Sequence, residues 1–234
     1  MRSIALVFAI VVLALGASFL FTARKDLNPS PMISEADRKD REQAVSAKKS
    51  DVIMKQKRVA QQSSTLEAPK EGAIQLTLTI EGRGDINLEM YPKAAPKAVA
   101  QFMQLVRSGF YRGVKFHRVE PGFVIQAGDP KTRDIESPRL AAMDASDPEF
   151  LTLGIGGSGK PLEFEACGLP CLKGTLAMAL TSPQSDTGDS QFFINLNDNR
   201  NLDGDYCVFG VVTSGLDVAA KVQRGDAIAN LAAR

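Results

Sequence analysis

From Ile74 onward the chain keeps a two-residue rhythm that limits it to a mainly β fold. Ile74-Gln75-Leu76-Thr77-Leu78-Thr79-Ile80 alternates apolar and polar residues without a break. Successive side chains of a strand project to opposite faces, so this run makes a strand with one buried face. Gly82-Arg83-Gly84-Asp85 supplies a turn, and the alternation resumes at Ile86-Asn87-Leu88-Glu89-Met90, giving an antiparallel hairpin. Pro92 and Pro96 then introduce a helix, in which Val99, Phe102, Met103, Val106 and Phe110 recur at helical spacing. Gly109 stands where such a helix stops. Further strand signals fall at Val114–Arg118, Phe123–Ala127, Thr175–Leu180, Gln191–Ile194 and Cys207–Val212, and Leu216–Val222 reads as a short closing helix. Short strands separated by turns, with two helices, point to a closed antiparallel β-barrel.

The chain of 234 residues is 44% hydrophobic, enough for one ordinary core plus additional sequence. Three regions are expected: residues 1–23, residues 24–71 and an ordered domain over 72–234. Ile4–Phe21 is an 18-residue apolar run with Arg2 ahead of it and Arg24 and Lys25 behind. That length suits an uncleaved membrane anchor. A cleaved signal peptide is the second reading, with small-residue sites near Ala14–Gly16 and Gly16–Ser18, and a buried helix is the third. Residues 24–71 are charged and poor in large apolar groups, so a polar linker is expected, helical over parts of Ser34–Gln62.

Composition removes several classes of function. Lys plus Arg number 28 against 27 Asp plus Glu, so there is no basic excess to hold nucleic acid. His117 is the one histidine, which rules out a multi-histidine metal site. Gly154–Lys160 imitates a phosphate-binding loop, but Pro161 stands where that loop needs Ser or Thr. Asn199, Asn201 and Asp203 imitate the start of a calcium loop, but its twelfth position is Gly210. Cys167 and Cys171 lie four apart in a Gly/Pro loop. They read either as a short disulfide, if the domain is exported, or as free thiols.

Three segments carry a more specific signal. Phe116-His117-Arg118-Val119 leads into Pro121-Gly122-Phe123-Val124-Ile125-Gln126-Ala127-Gly128-Asp129. Gly174-Thr175-Leu176-Ala177-Met178-Ala179 follows. Ser190-Gln191-Phe192-Phe193-Ile194 then precedes Leu202-Asp203-Gly204 and Val208-Phe209-Gly210. In order and spacing this set resembles the cyclophilins. The resemblance implies an eight-stranded closed barrel capped by two helices, with a proline-binding groove on its outer face. It implies peptidyl-prolyl cis/trans isomerase activity with no cofactor and no metal. Arg118, Gln126 and Phe123 are carried over as catalytic. Val124, Ala179, Gln191, Phe193, Leu202 and Tyr206 are carried over as substrate-binding. Asn201 replaces a Trp and Tyr206 a His found in eukaryotic members, and Val124 stands where a Met often follows the groove Phe.

These residue types suit the reaction. Amide resonance gives X-Pro rotation a barrier of roughly 18–20 kcal/mol, and no bond need break to cross it. As the bond twists, the prolyl nitrogen regains a lone pair, to which a guanidinium can donate only in that state. The expected partners are proline-containing polypeptides and, through Ile4–Phe21, a membrane. The expected place is outside the cytoplasm, with the chain a monomer. The alternative is a non-catalytic module or chaperone that holds proline-containing segments in the same groove.

Overall fold

The computed structural model describes residues 35–62, 66, 68 and 70–234; the apolar run Ile4–Phe21 lies outside them. Among the described residues, no helix is long and apolar enough to cross a membrane. In chain order the elements are α1 (Glu35–Gln62), β1 (Ile74–Ile80), β2 (Gly84–Met90), α2 (Pro96–Arg107), β3 (Arg118–Glu120), β4 (Val124–Ala127), α3 (Ser137–Ala142), β5 (Thr175–Met178), β6 (Phe192–Asn195), β7 (Val208–Ser214), α4 (Leu216–Ala219) and β8 (Ile228–Ala233). The eight strands form one antiparallel sheet in the order β3-β4-β6-β5-β7-β2-β1-β8.

The first hairpin has the register its alternation demands. Leu76 pairs with Leu88 and Leu78 with Ile86, and all four are fully buried. The polar alternates meet on the other face, where Thr77 and Thr79 donate to Asn87 and Asp85. The curled sheet is drawn together beside its first and last strands. Gly113 N donates to Ile228 O at 2.8 Å, and Phe116 N to Asp226 O at 3.0 Å. Gly225 N and Ile228 N donate back to Phe116 O and Val114 O, each at 2.9 Å. Residues 114–116 are therefore not the regular strand their alternation suggests. They bridge to the turn ahead of β8, and β3 begins only at Arg118. The eighth strand gave no clear signal, because Ala229, Ala232 and Ala233 blur its alternation. It is ordered by pairing with β1.

Helix α2 closes one end of the core. Val99, Phe102, Met103 and Val106 are buried as their spacing predicts. Gly109 takes φ +70°, and Gly109 N and Phe110 N donate to Val106 O and Leu105 O, which ends the helix in a left-handed cap. Phe102 lies 5.1 Å from Tyr111, 5.5 Å from Phe192 and 5.1 Å from Phe209, ring centre to ring centre. Tyr111 Oη donates to Ser190 O at 2.9 Å, which answers its one buried polar atom.

The segment expected as a linker contains the 28-residue helix α1. Over residues 49–57 that helix packs on the domain. Ile53 is buried, and Lys57 Nζ meets Asp205 at 2.8 Å. Lys49 reaches Asp186 at 3.2 Å. Both ion pairs are partly exposed, so each stabilises by no more than about 1 kcal/mol.

His117 is 6% exposed, and among the described residues neither ring nitrogen has a hydrogen-bond partner. Burial pushes its pKa down from 6.5 to about 4, with Asp129 opposing the shift and Arg118 adding to it. It packs behind Arg118 as a neutral ring.

Two outcomes follow from this core. Phe102→Ala empties the centre of the aromatic cluster and should cost about 3–5 kcal/mol, read by urea denaturation of the purified protein; an unchanged midpoint would contradict the packing. For His117, the unfolded chain takes up a proton below pH 6.5 that the folded chain refuses until about pH 4. Its contribution is thus complete above pH 6.5 and is lost as pH falls towards 4. The slope of stability against pH across that window should flatten in His117→Gln.

Candidate active site

The groove follows from which faces of β4, β5 and β6 the core claims. In β4, Ile125 and Ala127 are fully buried in the main core, so Val124 and Gln126 project outward. In β6, Phe192 and Ile194 turn inward and Phe193 outward. In β5, Leu176 and Met178 face in, which leaves Ala177 and Ala179 on the outer side. Register then aligns Arg118 with Gln126, Gln126 with Phe193, and Phe193 with Ala177. One row across four strands runs from a cation through an amide to an aromatic ring.

A small cavity of about 170 Å³ lies along this row. It is lined by Arg118, Phe123, Val124, Gln126, Ala179, Leu180, Phe193, Leu202 and Tyr206. Eight of these nine are residues singled out in the sequence. Leu180 is the addition, one position past the segment that ends at Ala179. Gln191, also singled out, stands behind the groove and faces a neighbouring cleft. Gln126 Nε2 donates to Gln191 Oε1 at 2.9 Å, and Gln191 Nε2 donates to Gly156 O at 2.7 Å. This chain fixes the amide plane of Gln126 and leaves its Oε1 as the acceptor for the groove.

The apolar walls are equally well held. Phe193 and Tyr206 pack edge to face, with ring centres 5.4 Å apart at 84°. Val124, Ala177, Phe193 and Val208 share a second buried cluster with Leu169 and Cys171 beneath them. Phe123 sits on a loop and Leu202 ends a single 3-10 turn, Arg200–Leu202, and a buried polar relay fixes both. Asn199 Nδ2 donates to Phe123 O at 2.9 Å and to Asn195 Oδ1 at 2.7 Å, and Asn195 Nδ2 donates to Thr175 Oγ1 at 2.9 Å. Leu202 N donates to Asn199 O. Asp203, fully buried, accepts from Cys171 N at 2.7 Å. Two of the residues that imitate a calcium loop, Asn199 and Asp203, are thus the framework of the groove rim.

Arg118 is about half exposed. Its guanidinium carbon lies 5.7 Å from the Phe123 ring centre, and Glu120 stands 3.8 Å from its Nε. Arg118 thus lines the cavity with a planar guanidinium beside an aromatic ring. Gly128 governs how closely β4 and β6 approach beside it. Its φ is +109°, and a Cβ there would fall 2.5 Å from Gln191 Cα, so only glycine fits.

The Gly154–Lys160 loop has its amides already engaged. Gly154 N and Gly156 N donate to Asp129 Oδ2 at 2.8 and 3.2 Å, and Gly159 N and Lys160 N to Asp189 Oδ2 at 2.9 and 3.2 Å. The donors that would cradle a phosphate instead bind two carboxylates of the chain itself. The three cysteines are free thiols. Cys167 lies beside Cys207, and none of the three forms a disulfide. The neighbouring Cys207 thiol, together with donation from Val208 N at 3.1 Å, lowers the Cys167 thiol below its ordinary range.

Residues 75–232 match the family model described as cyclophilin type peptidyl-prolyl cis-trans isomerase/CLD. The chain is 42% identical over 148 residues to a probable peptidyl-prolyl cis-trans isomerase of Brucella suis, covering 63% of this chain and 70% of that protein. It is 38% identical over 147 residues to peptidyl-prolyl cis-trans isomerase B of Bacillus subtilis, covering 63% and 89%. Among solved structures, a cyclophilin type isomerase of Cryptosporidium parvum aligns with TM-score 0.56 and 25% identity, over 69% of this chain and 98% of that one. The same protein in the presence of the dipeptide Ala-Pro aligns with TM-score 0.54 and 26% identity, over 68% and 98%. With that match and a curled eight-stranded sheet whose outer face carries a guanidinium beside a small cavity, the chain belongs to the cyclophilin-type peptidyl-prolyl cis-trans isomerases.

Proposed function

We propose that the outer-face groove turns X-Pro bonds of extracytoplasmic client proteins by non-covalent stabilisation of the twisted amide. The observation that carries this reading is the row Arg118–Gln126–Phe193 lying over a cavity of about 170 Å³. Phe123, Phe193, Leu202 and Tyr206 enclose a volume suited to a proline ring and hold it still. The preceding carbonyl is then the part that rotates. Gln126, its orientation set by Gln191, accepts from the client backbone. Arg118 donates to the prolyl nitrogen as its lone pair returns, an interaction absent from the planar ground state. The low-dielectric walls raise the value of each polar contact. The presence of Ala-Pro with the Cryptosporidium relative supports proline-containing peptides as the ligand class. The seam bonds between 113–116 and 225–228 support a sheet closed into a barrel, which keeps the groove strands from spreading.

The extracytoplasmic setting rests on Ile4–Phe21, whose apolar length suits a membrane anchor followed by a polar segment. On this reading the isomerase domain works beside the membrane as a monomer. Detergent should be required to release the full-length chain from cell membranes, and recovery of the intact chain in the soluble cytoplasmic fraction would overturn this placement.

The catalytic assignment has its own test. Arg118→Ala should fold normally, because the side chain is half exposed, yet lose about a hundred- to a thousandfold in kcat/KM on an Ala-Pro peptide. Arg118→Lys should recover little, since an ammonium on a flexible stem neither rests on Phe123 nor directs a fixed donor. Near-normal activity of folded Arg118→Ala sinks this mechanism. A wild type inactive on every X-Pro peptide but able to bind them would leave the holding module as the function.

A further inference from the structure

The segment between β4 and β5 is far longer than the turn that joining them requires, and part of it is folded against the catalytic row. Ile135, Leu140 and Met143 form a buried cluster of their own, against which Phe150 and Leu153 pack. Helix α3 is seated on the turn ahead of β8. A Cβ on Gly225 would fall 2.5 Å from Ser137 O, and Arg224 donates to Ala141 O at 2.8 Å. Arg139 and Glu149 pair at 2.5 Å across the same unit. The far end is tied down where Asp129 accepts from Gly154 N and Gly156 N. The result is a fixed wall facing β3.

Between that wall and β3 lies a cleft of about 910 Å³. Its apolar lining comes from Val119, Phe150, Leu153, Ile155 and Leu180, and its cations are Arg118 and Arg224. Ile155 is 67% exposed, an unusual place for a large aliphatic side chain at a cleft mouth. Arg224 is held with its guanidinium carbon 5.2 Å from the Phe150 ring centre. Asp144 lies near enough to feel that charge, with its Oδ1 held by Ser146 N and Oγ and no ion pair to Arg224. Arg118 already has Glu120 beside it, so Arg224 is the cation left to meet an incoming anion. The cleft and the proline cavity share Arg118, Gln126 and Leu180, so they form one continuous surface.

We propose that this cleft is a second client-binding subsite, and that it selects polypeptides with a large apolar side chain beside a carboxylate within a few residues of the proline. The inference rests on the isomerase reading of the adjoining groove. An extended chain advances ~3.3–3.6 Å per residue, so a client held by its proline reaches the cleft without a break. The apolar side chain covers Ile155 and Phe150, and the carboxylate pairs with Arg224.

The experiment compares two blocked peptides on the full-length protein: a short one holding Ala-Pro, and a longer one with Leu-Glu on both sides of the same core. Isomerisation is followed by NMR exchange and binding by fluorescence anisotropy. Wild type should favour the longer peptide by about tenfold in kcat/KM and in Kd. Ile155→Ser and Arg224→Gln should each bring the two peptides towards parity and leave the short peptide's rate unchanged. Ile155→Ser alters only an exposed side chain, so it remains decisive if Arg224→Gln loosens α3. Equal handling of both peptides by wild type, or an equal loss on both in the variants, overturns the proposal. If neither peptide is isomerised, the catalytic reading fails by itself. Anisotropy then decides: a preference for the longer peptide that Ile155→Ser abolishes sustains the subsite, and parity ends it.

Discussion

The pairing of β4 with β6 is the constraint on which the rest depends. Ile125 opposite Ile194, and Ala127 opposite Phe192, are driven into the core by burial of apolar surface. A strand has only two faces, so seating those four side chains leaves Gln126 and Phe193 side by side outside. A slip of one residue would turn the slipping strand over and separate Gln126 from Phe193 as well as breaking the core. Stability and function therefore share one register. Gly128 guards it, because any side chain there would force β4 away from Gln191.

Rigidity in the groove comes from buried polar groups that lie outside its lining. The relay from Thr175 through Asn195 and Asn199 to the Phe123 carbonyl joins two strands to two loops. Buried amides of this kind stabilise only when all their partners are present, which makes the relay all-or-none. It holds Phe123 and Leu202 in place although neither lies in a strand. Asp203 has a parallel role, tying the Cys171 backbone to the rim that carries Leu202 and Tyr206.

Asp129 and Asp189 act on a larger scale. Each carboxylate gathers amides from the Gly154–Lys160 loop, and charge-assisted bonds of this type are stronger than neutral ones. The loop is thereby fixed beside Gln191, whose amide it meets through Gly156 O. One anchored loop both orients the groove amide and ends the wall of the larger cleft.

Local pattern alone determined the first hairpin and helix α2 with its glycine stop, because each is dictated by a short-range period, whereas the faces of β4 and β6, apolar at successive positions, were settled by which side chains the core buries. The groove residues were legible through their resemblance to a known family, and Leu180, one step beyond the quoted segment, escaped it. Tertiary structure decided the rest. Residues 114–116 alternate like a strand, but their partners lie more than a hundred residues away in the turn ahead of β8, so they bridge instead. β8 alternates poorly and exists because β1 offers it an edge. The surroundings of His117 were likewise set by packing, which among the described residues leaves both ring nitrogens without a hydrogen-bond partner and lowers its pKa. Cys167 lies four positions from Cys171 in the chain, yet folding sets its thiol against Cys207. In each case the deciding energy is a contact between segments distant in sequence, and no local period records it.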